Sequence, residues 1–394
     1  MNDSVRRTNL AIFLCCMFAV IAKAETSMPI VAFWGVPDTM TYERCFKDFS
    51  ECGFTVSIYP YWSVETLVRA CNMADRYGVK IIGRCPELFD NPSTVVPILK
   101  GTKGFGGYNI QDEPSAPQLA GCQQTIEKLK RYDDTHLFYV NLIPYYRQDW
   151  FANSARTSSL ADYLREASRL SCQQMSFDFY PVTTEGIRST WYMNIEHVRQ
   201  ASRAAGKPFW GFVLSVPHSV YPQPTMGSLR LQVYVNLAYG AQAIQYFTYW
   251  TPTPKNYNYH DAPIGLNGKK TKTYWLVQQM NRELKAVAPL FYGARVRSVH
   301  HLGTIPEGTT RLTTMPANLR ALKVVGRQGA VVAQLEKDGH RYLAIVNKSH
   351  EQPLTVRIRP ANATPRHLTK QLQEEKMKTS YSVEAGDLLL FRLT

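Results

Sequence analysis

Two adjacent acids, Asp112 and Glu113, stand where an apolar segment stops. Residues 104–110 have the composition of a buried β-strand, and Pro114 follows the acids, so the strand must end there because proline cannot donate to a sheet. Carboxylates at the tip of a buried strand are costly unless they face a solvated cleft or have partners. We therefore predict a functional site here. The alternative is an acidic helix N-cap, with Asp112 or Ser115 as the cap.

The elements that would position these acids repeat along the first 290 residues. Each of eight apolar segments is followed by a helical or helix-length stretch, and such uniformly apolar strands are typical of a parallel sheet buried on both faces. Eight βα units in roughly 260 residues predict a (β/α)8 TIM barrel. The alternative, an open doubly wound sheet, usually has a glycine-rich phosphate loop after its first strand, which is absent here. The predicted strands are residues 30–36, 54–59, 79–83, 105–110, 137–142, 175–179, 209–214 and 243–249.

Both ends of the chain differ from this pattern. Residues 1–24 carry two arginines, a short apolar stretch and Ala22-Lys23-Ala24, which predicts a signal peptide cleaved after Ala24 and export to the periplasm or outside the cell. The alternative is a lipoprotein cut before Cys15 or Cys16. Residues 25–290 would form the barrel. Residues 291–394, with short β-rich runs between turn signals, predict an antiparallel β-sandwich accessory domain. No later segment is apolar enough for stable membrane insertion.

Composition limits the possible partners and cofactors. The formal net charge is +14, of which +12 remains after loss of residues 1–24. This excess favours acidic polymers such as uronate or sulfated glycans, or serves solubility alone. Zinc-finger spacing and basic runs with interleaved aromatics are absent, which argues against nucleic acid. The six cysteines after residue 24 form no C-x-x-C pair, and no H-E-x-x-H pattern occurs, so no metal or organic cofactor is expected.

The predicted strand ends, where barrel enzymes carry their active sites, are rich in carboxylates, amides and aromatic rings. Aromatic faces stack on sugar rings, and cleavage of a glycosidic bond needs one protonated and one ionised carboxyl group. We predict Glu113 and Asp178 as that pair. A purely structural role for Asp178, near Tyr180-Pro181, is the alternative. The predicted sugar contacts are Trp34, Tyr61, Trp62, Asp112, Asn141, Tyr180, His218, Tyr246 and Trp250.

Three segments carry a resemblance to clan A glycoside hydrolases. They are Gln111-Asp112-Glu113-Pro114, Phe177-Asp178-Phe179-Tyr180-Pro181 and residues 240–250, GAQAIQYFTYW. Over roughly residues 28–290 the chain resembles secreted barrel hydrolases of gut Bacteroidetes and, more distantly, family 42 β-galactosidases. The clan's fourth strand ends in Asn-Glu-Pro. The resemblance therefore implies that Glu113 is the acid/base and that Asp112 replaces an asparagine that touches a sugar hydroxyl. It also implies an oligosaccharide or polysaccharide substrate.

The chain departs from the clan at strand seven, whose end supplies the nucleophilic glutamate in that clan. Here the strand ends in Phe212-Val213-Leu214-Ser215, without an acid. Asp178 could be the second carboxylate, or Glu87 or Asp261 could reach in from a loop. The remaining alternative is a catalytically inactive, glycan-binding barrel. An esterase or amidase is disfavoured because the G-x-S-x-G elbow is missing. A distance of about 5 Å between the two carboxyl groups would predict that the anomeric configuration is retained. A distance of about 6.5–9.5 Å would predict that it is inverted.

Overall fold

The computed structural model describes residues 27–147, 149, 157–253, 255–326, 328–361 and 363–393. The predicted signal peptide, its cleavage site after Ala24 and the alternative lipid sites Cys15 and Cys16 lie outside these residues. Within them, no helix has the length and hydropathy needed to cross a bilayer.

Eight parallel strands close into a barrel, which confirms the predicted fold class. Neighbouring strands follow the order β1, β10, β9, β6, β5, β4, β3, β2 and back to β1. A short hairpin of β7 (Val182–Thr183) and β8 (Gly186–Ile187) lies outside the barrel. The barrel strands are β1 (Ile30–Phe33), β2 (Val56–Pro60), β3 (Lys80–Arg84), β4 (Phe105–Asp112), β5 (Leu137–Leu142), β6 (Met175–Phe177), β9 (Phe209–Leu214) and β10 (Ala243–Phe247).

The surrounding helices begin and end at recognisable signals. Ser63 and Thr225 each form a capping box with the residue three positions on, which satisfies N–H groups that lack partners within the helix. Gly206 ends a helix with φ 65°, a conformation that glycine adopts without a steric penalty. The helices are α1 (Glu43–Glu51), α2 (Val64–Asp75), α3 (Pro86–Asp90), α4 (Pro92–Lys100), α5 (Leu119–Lys130), α6 (Leu160–Ala167), α7 (Thr190–Ala205), α8 (Met226–Tyr239) and α9 (Lys272–Phe291).

Two antiparallel sheets follow the barrel and form the predicted β-sandwich. The larger has the order β11, β13, β14, β19, β16, β17, and the smaller β12, β15, β18. Alternate apolar residues of both sheets share one core, as expected when two sheets pack face to face. The strands are β11 (Arg295–Gly303), β12 (Leu319–Val325), β13 (Gly329–Lys337), β14 (His340–Asn347), β15 (Leu354–Pro360), β16 (Arg366–Leu368), β17 (Glu374–Glu375), β18 (Ser380–Val383) and β19 (Leu388–Leu393).

The other face of the larger sheet packs on the barrel, since Val331, Ala333 and Ala344 belong to the same apolar core as the barrel and its helices. An ionic group, which we call the junction network, spans this contact. Glu283 of α9 lies 2.6 Å from Arg230 of α8 and 2.7 Å from Lys370 of the sandwich. Asp387 lies 2.8 Å from Lys370 and 3.6 Å from Arg230. Two acids thus face two cations.

Candidate active site

A cavity of about 370 Å³ opens at the C-terminal ends of the barrel strands, where active sites of this fold lie. Its walls combine three carboxyl groups, one amide, one guanidinium, one imidazole and a set of aromatic rings. The lining residues are Phe33, Asp112, Glu113, Asn141, Tyr146, Arg147, Asp178, Tyr180, Phe212, His218, Tyr221, Phe247, Tyr257 and Tyr259.

The end of β4 brings two of these carboxyl groups to the cavity. The pairing of β4 with β5 shifts register between Asn109 and Gln111, and this irregularity sets Asp112 opposite Asn141. Glu113 follows in the left-handed region at φ 43°, which is strained for a residue with a side chain. Its backbone is held on both sides, because the Glu113 N–H donates to the Asn141 carbonyl at 2.9 Å and Tyr163 donates to the Pro114 carbonyl at 2.8 Å.

Asn141 joins Asp112 and Asp178 through a single amide nitrogen. Its Nδ2 donates to Asp112 Oδ1 at 3.1 Å and to Asp178 Oδ1 at 3.0 Å. Asp178 is almost wholly buried and its side chain is hydrogen-bonded to that of Glu113. We call Asp112, Glu113 and Asp178 the carboxyl cluster. Glu113 and Asp178 are therefore neighbours in the wall of the cavity.

Ionisation is disfavoured throughout the carboxyl cluster. Burial raises the pKa of Glu113 to about 7, the negative charge of Asp112 adds to this effect, and the Arg147 guanidinium opposes it. The pKa of Asp178 lies well above its usual range because of burial and then of the charges of Glu113 and Asp112. Asp112 faces the open cavity, yet crowding by neighbouring atoms also raises its pKa. Carboxyl groups in contact cannot all ionise, so the cluster holds at least one proton near neutral pH.

A buried polar network lies beneath the cluster and fixes the Asn141 amide. Ser176 Oγ is 2.9 Å from Asn141 Oδ1 and 3.0 Å from the Tyr139 hydroxyl. Gln245 Nε2 donates to Ser176 Oγ at 2.8 Å, and Tyr139 donates to Gln245 Oε1 at 2.8 Å. Because the amide oxygen of Asn141 faces Ser176, its nitrogen faces the two carboxyl groups.

The remaining walls supply a cation, a neutral imidazole and aromatic faces. Arg147 Nη1 lies 3.4 Å from Glu113 Oε2. His218 is buried, which lowers the pKa of its imidazole, and its Nδ1 donates to the Val216 carbonyl at 3.0 Å, leaving Nε2 as an acceptor. Arg147 and Tyr146 were not among the predicted site residues. Tyr145-Tyr146-Arg147 begins three residues after the end of β5, and this place near a strand end could have indicated them.

Of the predicted site residues, the structure brings Glu113, Asp178, Asp112, Asn141, Tyr180 and His218 together in the cavity. It places the other five elsewhere. Trp34 packs against Tyr59 with ring centroids 5.1 Å apart and the two rings tilted by 59°, and Trp62 is 77% exposed on the surface. Tyr61 is buried in the core between barrel and helices.

The two aromatic predictions on strand eight need correction. Tyr246 is fully buried against Phe54 on the helix side of β10, and Phe247, its neighbour, faces the cavity instead. Side chains alternate along a strand, so an error of one residue places the contact on the opposite face. Trp250 is 6% exposed and packs beneath the loop that contains Gly268.

Strand seven, β9, continues into Ser215, whose hydroxyl donates to the Thr248 carbonyl at 2.6 Å, and no acid lies at its described end. The loop acids do not replace it. Glu87 accepts from the Val64 N–H at the start of α2, and Asp261, 62% exposed, pairs with His260. Among the described residues, the cavity acids are therefore the three of the carboxyl cluster. No histidine, cysteine, aspartate and glutamate group in this part of the chain has the arrangement of a metal site.

Comparison with known proteins agrees with this geometry. The family model for β-galactosidase, glycoside hydrolase family 42, matches residues 119–287. Over these residues, which make up less than half of the chain, the sequence is similar to family 42 glycoside hydrolases. The matched segment contains Asn141, Asp178 and His218 but begins after Glu113, so the prediction that Glu113 is the acid/base depends on its place at the end of β4.

Solved structures show the same fold across most of the chain. A β-galactosidase from Bacillus circulans sp. alkalophilus has a TM-score of 0.62 at 10% identity, covering 93% of this chain and 99% of that one. A catalytic mutant of a family 42 β-galactosidase from G. stearothermophilus has a TM-score of 0.62 at 8% identity, covering 94% and 98%. No curated protein matches the chain by sequence.

Proposed function

We propose that the protein is an exported glycosidase that cleaves β-galactosidic bonds in an oligosaccharide or polysaccharide, with Glu113 as the proton donor. One observation carries this proposal: Glu113 has a pKa raised to about 7 in a cavity walled by aromatic rings at the end of barrel strand four. A carboxyl group with that pKa is still half protonated at neutral pH, as a general acid must be. The choice of a β-galactoside follows the names of the similar proteins.

Asp178 is the proposed second carboxyl group, acting as base or nucleophile. In the unliganded site it is hydrogen-bonded to Glu113, so a sugar can enter between the two only if the side chains separate. The mechanism requires a state in which Glu113 is protonated and Asp178 is ionised, although burial disfavours the ionisation of Asp178 in the unliganded site. Glu113 then gives its proton to the leaving oxygen as the glycosidic bond breaks. The Asp178 carboxylate either takes a proton from the water that attacks the anomeric carbon, or attacks that carbon itself to form an ester that water then hydrolyses.

The other cavity residues fit a sugar. Asp112, Asn141 and the His218 Nε2 can hydrogen-bond hydroxyl groups, and the rings of Tyr180, Tyr146 and Phe247 offer stacking faces. The Arg147 guanidinium beside the carboxyl cluster could also bind a sugar carboxylate or sulfate by donating hydrogen bonds to it. We therefore include acidic glycans among the proposed substrates, consistent with the positive net charge.

Export to the periplasm or the cell exterior is proposed from residues 1–24 alone. The test is expression of the full chain followed by N-terminal sequencing of the exported product. A mature chain beginning at Glu25 is expected. A chain that keeps Met1 and stays in the cytoplasm would contradict export, and a lipidated Cys15 or Cys16 would establish the alternative.

The enzymatic test uses the mature chain and p-nitrophenyl β-D-galactopyranoside, with release of reducing ends from neutral and acidic glycans as a second assay. Wild type is expected to release product, and Glu113→Gln to lose turnover with its fold intact. Glu127→Gln on α5 is the matched control, because Glu127 is exposed and contacts Gln123. Full activity in Glu113→Gln would overturn the assignment.

A second candidate, glycan binding without cleavage, is favoured by two observations: Glu113 and Asp178 are hydrogen-bonded to each other, and the described part of β9 supplies no acid to the cavity. Calorimetry on the wild type separates the two. Heat from oligosaccharide binding with no product after long incubation would support the binding protein, whereas turnover would exclude it.

A further inference from the structure

A second pocket, of about 490 Å³, opens beside the catalytic cavity. It is formed by the connection between β10 and α9, and none of the catalytic groups proposed above lines it. The two spaces share one wall, because Tyr259 lines both the cavity and this side pocket. A chain of sugars that leaves the cavity past Tyr259 would therefore enter the side pocket directly.

Tyr259 is held as a partition between the two spaces. Its ring lies 4.6 Å from that of His218 and 6.0 Å from that of Phe247, both on the cavity side. Two residues with side chains bracket it in the left-handed region, Asn258 at φ 49° and Asp261 at φ 48°. Such conformations cost about 1 kcal/mol or more each and persist where surrounding structure enforces them, often at binding sites.

The side pocket has the surface chemistry of a sugar site. Leu266 is 61% exposed in its wall, an apolar face that contributes nothing to the core. Around it lie Asn267, Lys269 and Asp261, which offer amide, ammonium and carboxylate groups to hydroxyls. The other lysine of the wall, Lys270, is already bound to Asp48 at 2.7 Å, so Lys269 is the cation that can turn to a ligand.

We propose that the side pocket is a subsite for a further sugar unit of the same glycan, so that the protein binds oligosaccharides across Tyr259. This inference rests on the proposed glycosidase function. The mixed charge of the wall, with Asp261 beside Lys269, favours hydroxyl-bearing neutral sugars, because a uronate or sulfate would approach the Asp261 carboxylate.

The test compares a one-sugar and a four-sugar substrate. Wild type and the double variant Leu266→Ala/Lys269→Ala are assayed with p-nitrophenyl β-D-galactopyranoside and with a β-linked galactotetraose. The variant is expected to raise KM for the tetraose about tenfold, the effect of losing about 1.4 kcal/mol of binding, and to leave kcat/KM for the aryl galactoside unchanged. Lys272→Ala is the control, since Lys272 is exposed on α9 outside the pocket. An unchanged KM for the tetraose in the double variant would overturn the subsite.

Calorimetry separates failure of the subsite from failure of the catalytic proposal. If the wild type hydrolyses neither substrate, the galactosidase proposal fails, and binding of the tetraose is measured instead. Binding that is about tenfold weaker in the double variant, but equal in Lys272→Ala, supports the subsite without hydrolysis. Equal affinity in wild type and double variant, or no binding at all, contradicts it.

Discussion

Two groups of acids in this molecule, the junction network and the carboxyl cluster, differ in their supply of positive charge. In the junction network, Glu283 and Asp387 face Arg230 and Lys370, and hydrogen bonds from these cations overcome burial and lower the pKa of Glu283 to about 2. In the carboxyl cluster, one cation, Arg147, lies 3.4 Å from Glu113, and burial raises the pKa of Glu113 to about 7. The same residue type is thus held ionised for stability in one place and kept protonated in the other.

This contrast teaches how the site can be recognised. A buried acid that serves folding is accompanied by donors that favour its ionised form, whereas the cluster concentrates acids where ionisation is disfavoured. Such an arrangement costs folding free energy and is typical of sites where protons are transferred. Glutamate-to-glutamine substitution should therefore have opposite consequences in the two places.

The largest expected effect is that of Glu113→Gln on turnover. Glutamine cannot donate a proton to the leaving oxygen, so kcat should fall by roughly 10²–10⁴. Stability should not fall, because the ionisation of Glu113 is already disfavoured. We expect the melting temperature at about pH 8 to equal or exceed that of the wild type. A lower melting temperature with normal turnover would reverse the roles assigned to the two groups.

Glu283→Gln should show the opposite result: normal kcat with lower stability. Removing one acid leaves Arg230 and Lys370 with Asp387 alone, at a cost of about 3 kcal/mol. Because the pKa of Glu283 is depressed in the folded state, its contribution is present above about pH 4.5 and is lost as pH falls toward about 2. The free energies of unfolding of the wild type and Glu283→Gln, measured by urea titration, should therefore differ most near neutral pH and become equal in acid. Equal free energies of unfolding at pH 7 would contradict the stabilising role.

The sequence predicted the barrel more completely than it predicted the site. Eight apolar segments with capped helices between them are a repeated signal. A local error therefore did not change the predicted fold: strand six was predicted to end at residue 179 and ends at Phe177. The site depends on single residues. Strands that are apolar on both faces carry no alternation, and for that reason Tyr246 could not be distinguished from Phe247.

Other features of the site had no local signal. The contact between Glu113 and Asp178 joins two strands, and the register shift in β4 that sets Asp112 opposite Asn141 follows from packing. The junction network joins residues from α8, α9 and the sandwich, far apart in the chain. By contrast, Glu113 was predictable because an acid between a buried strand and a proline has few structural roles.

Asp112→Asn removes one acid from the carboxyl cluster and so tests whether the charges of neighbouring acids raise the pKa of Glu113. The negative charge of Asp112 raises the pKa of Glu113, so its loss should move the basic limb of the kcat/KM profile to lower pH by about one unit. Arg147→Gln should move the same limb to higher pH, because that guanidinium favours ionised Glu113. If the kcat/KM profiles of both variants shifted in the same direction, the charges of Asp112 and Arg147 would not determine the pH of this limb.

The smallest effect is expected from Ser176→Ala, which alters the cluster only through Asn141. Without the hydroxyl, Asn141 Oδ1 and Gln245 Nε2 lose a partner, and the amide that joins Asp112 and Asp178 is no longer fixed. We expect kcat to fall a few-fold with KM unchanged, as when about 1 kcal/mol of positioning is lost. The basic limb of the kcat/KM profile should move to slightly higher pH, because the Asn141 amide favours the ionised acids. Ser57→Ala is the control, since Ser57 is equally buried but accepts from the Val36 N–H. If both variants lose the same stability but only Ser176→Ala alters the pH profile of kcat/KM, Ser176 positions the site. If the two pH profiles are identical, Ser176 contributes to packing alone.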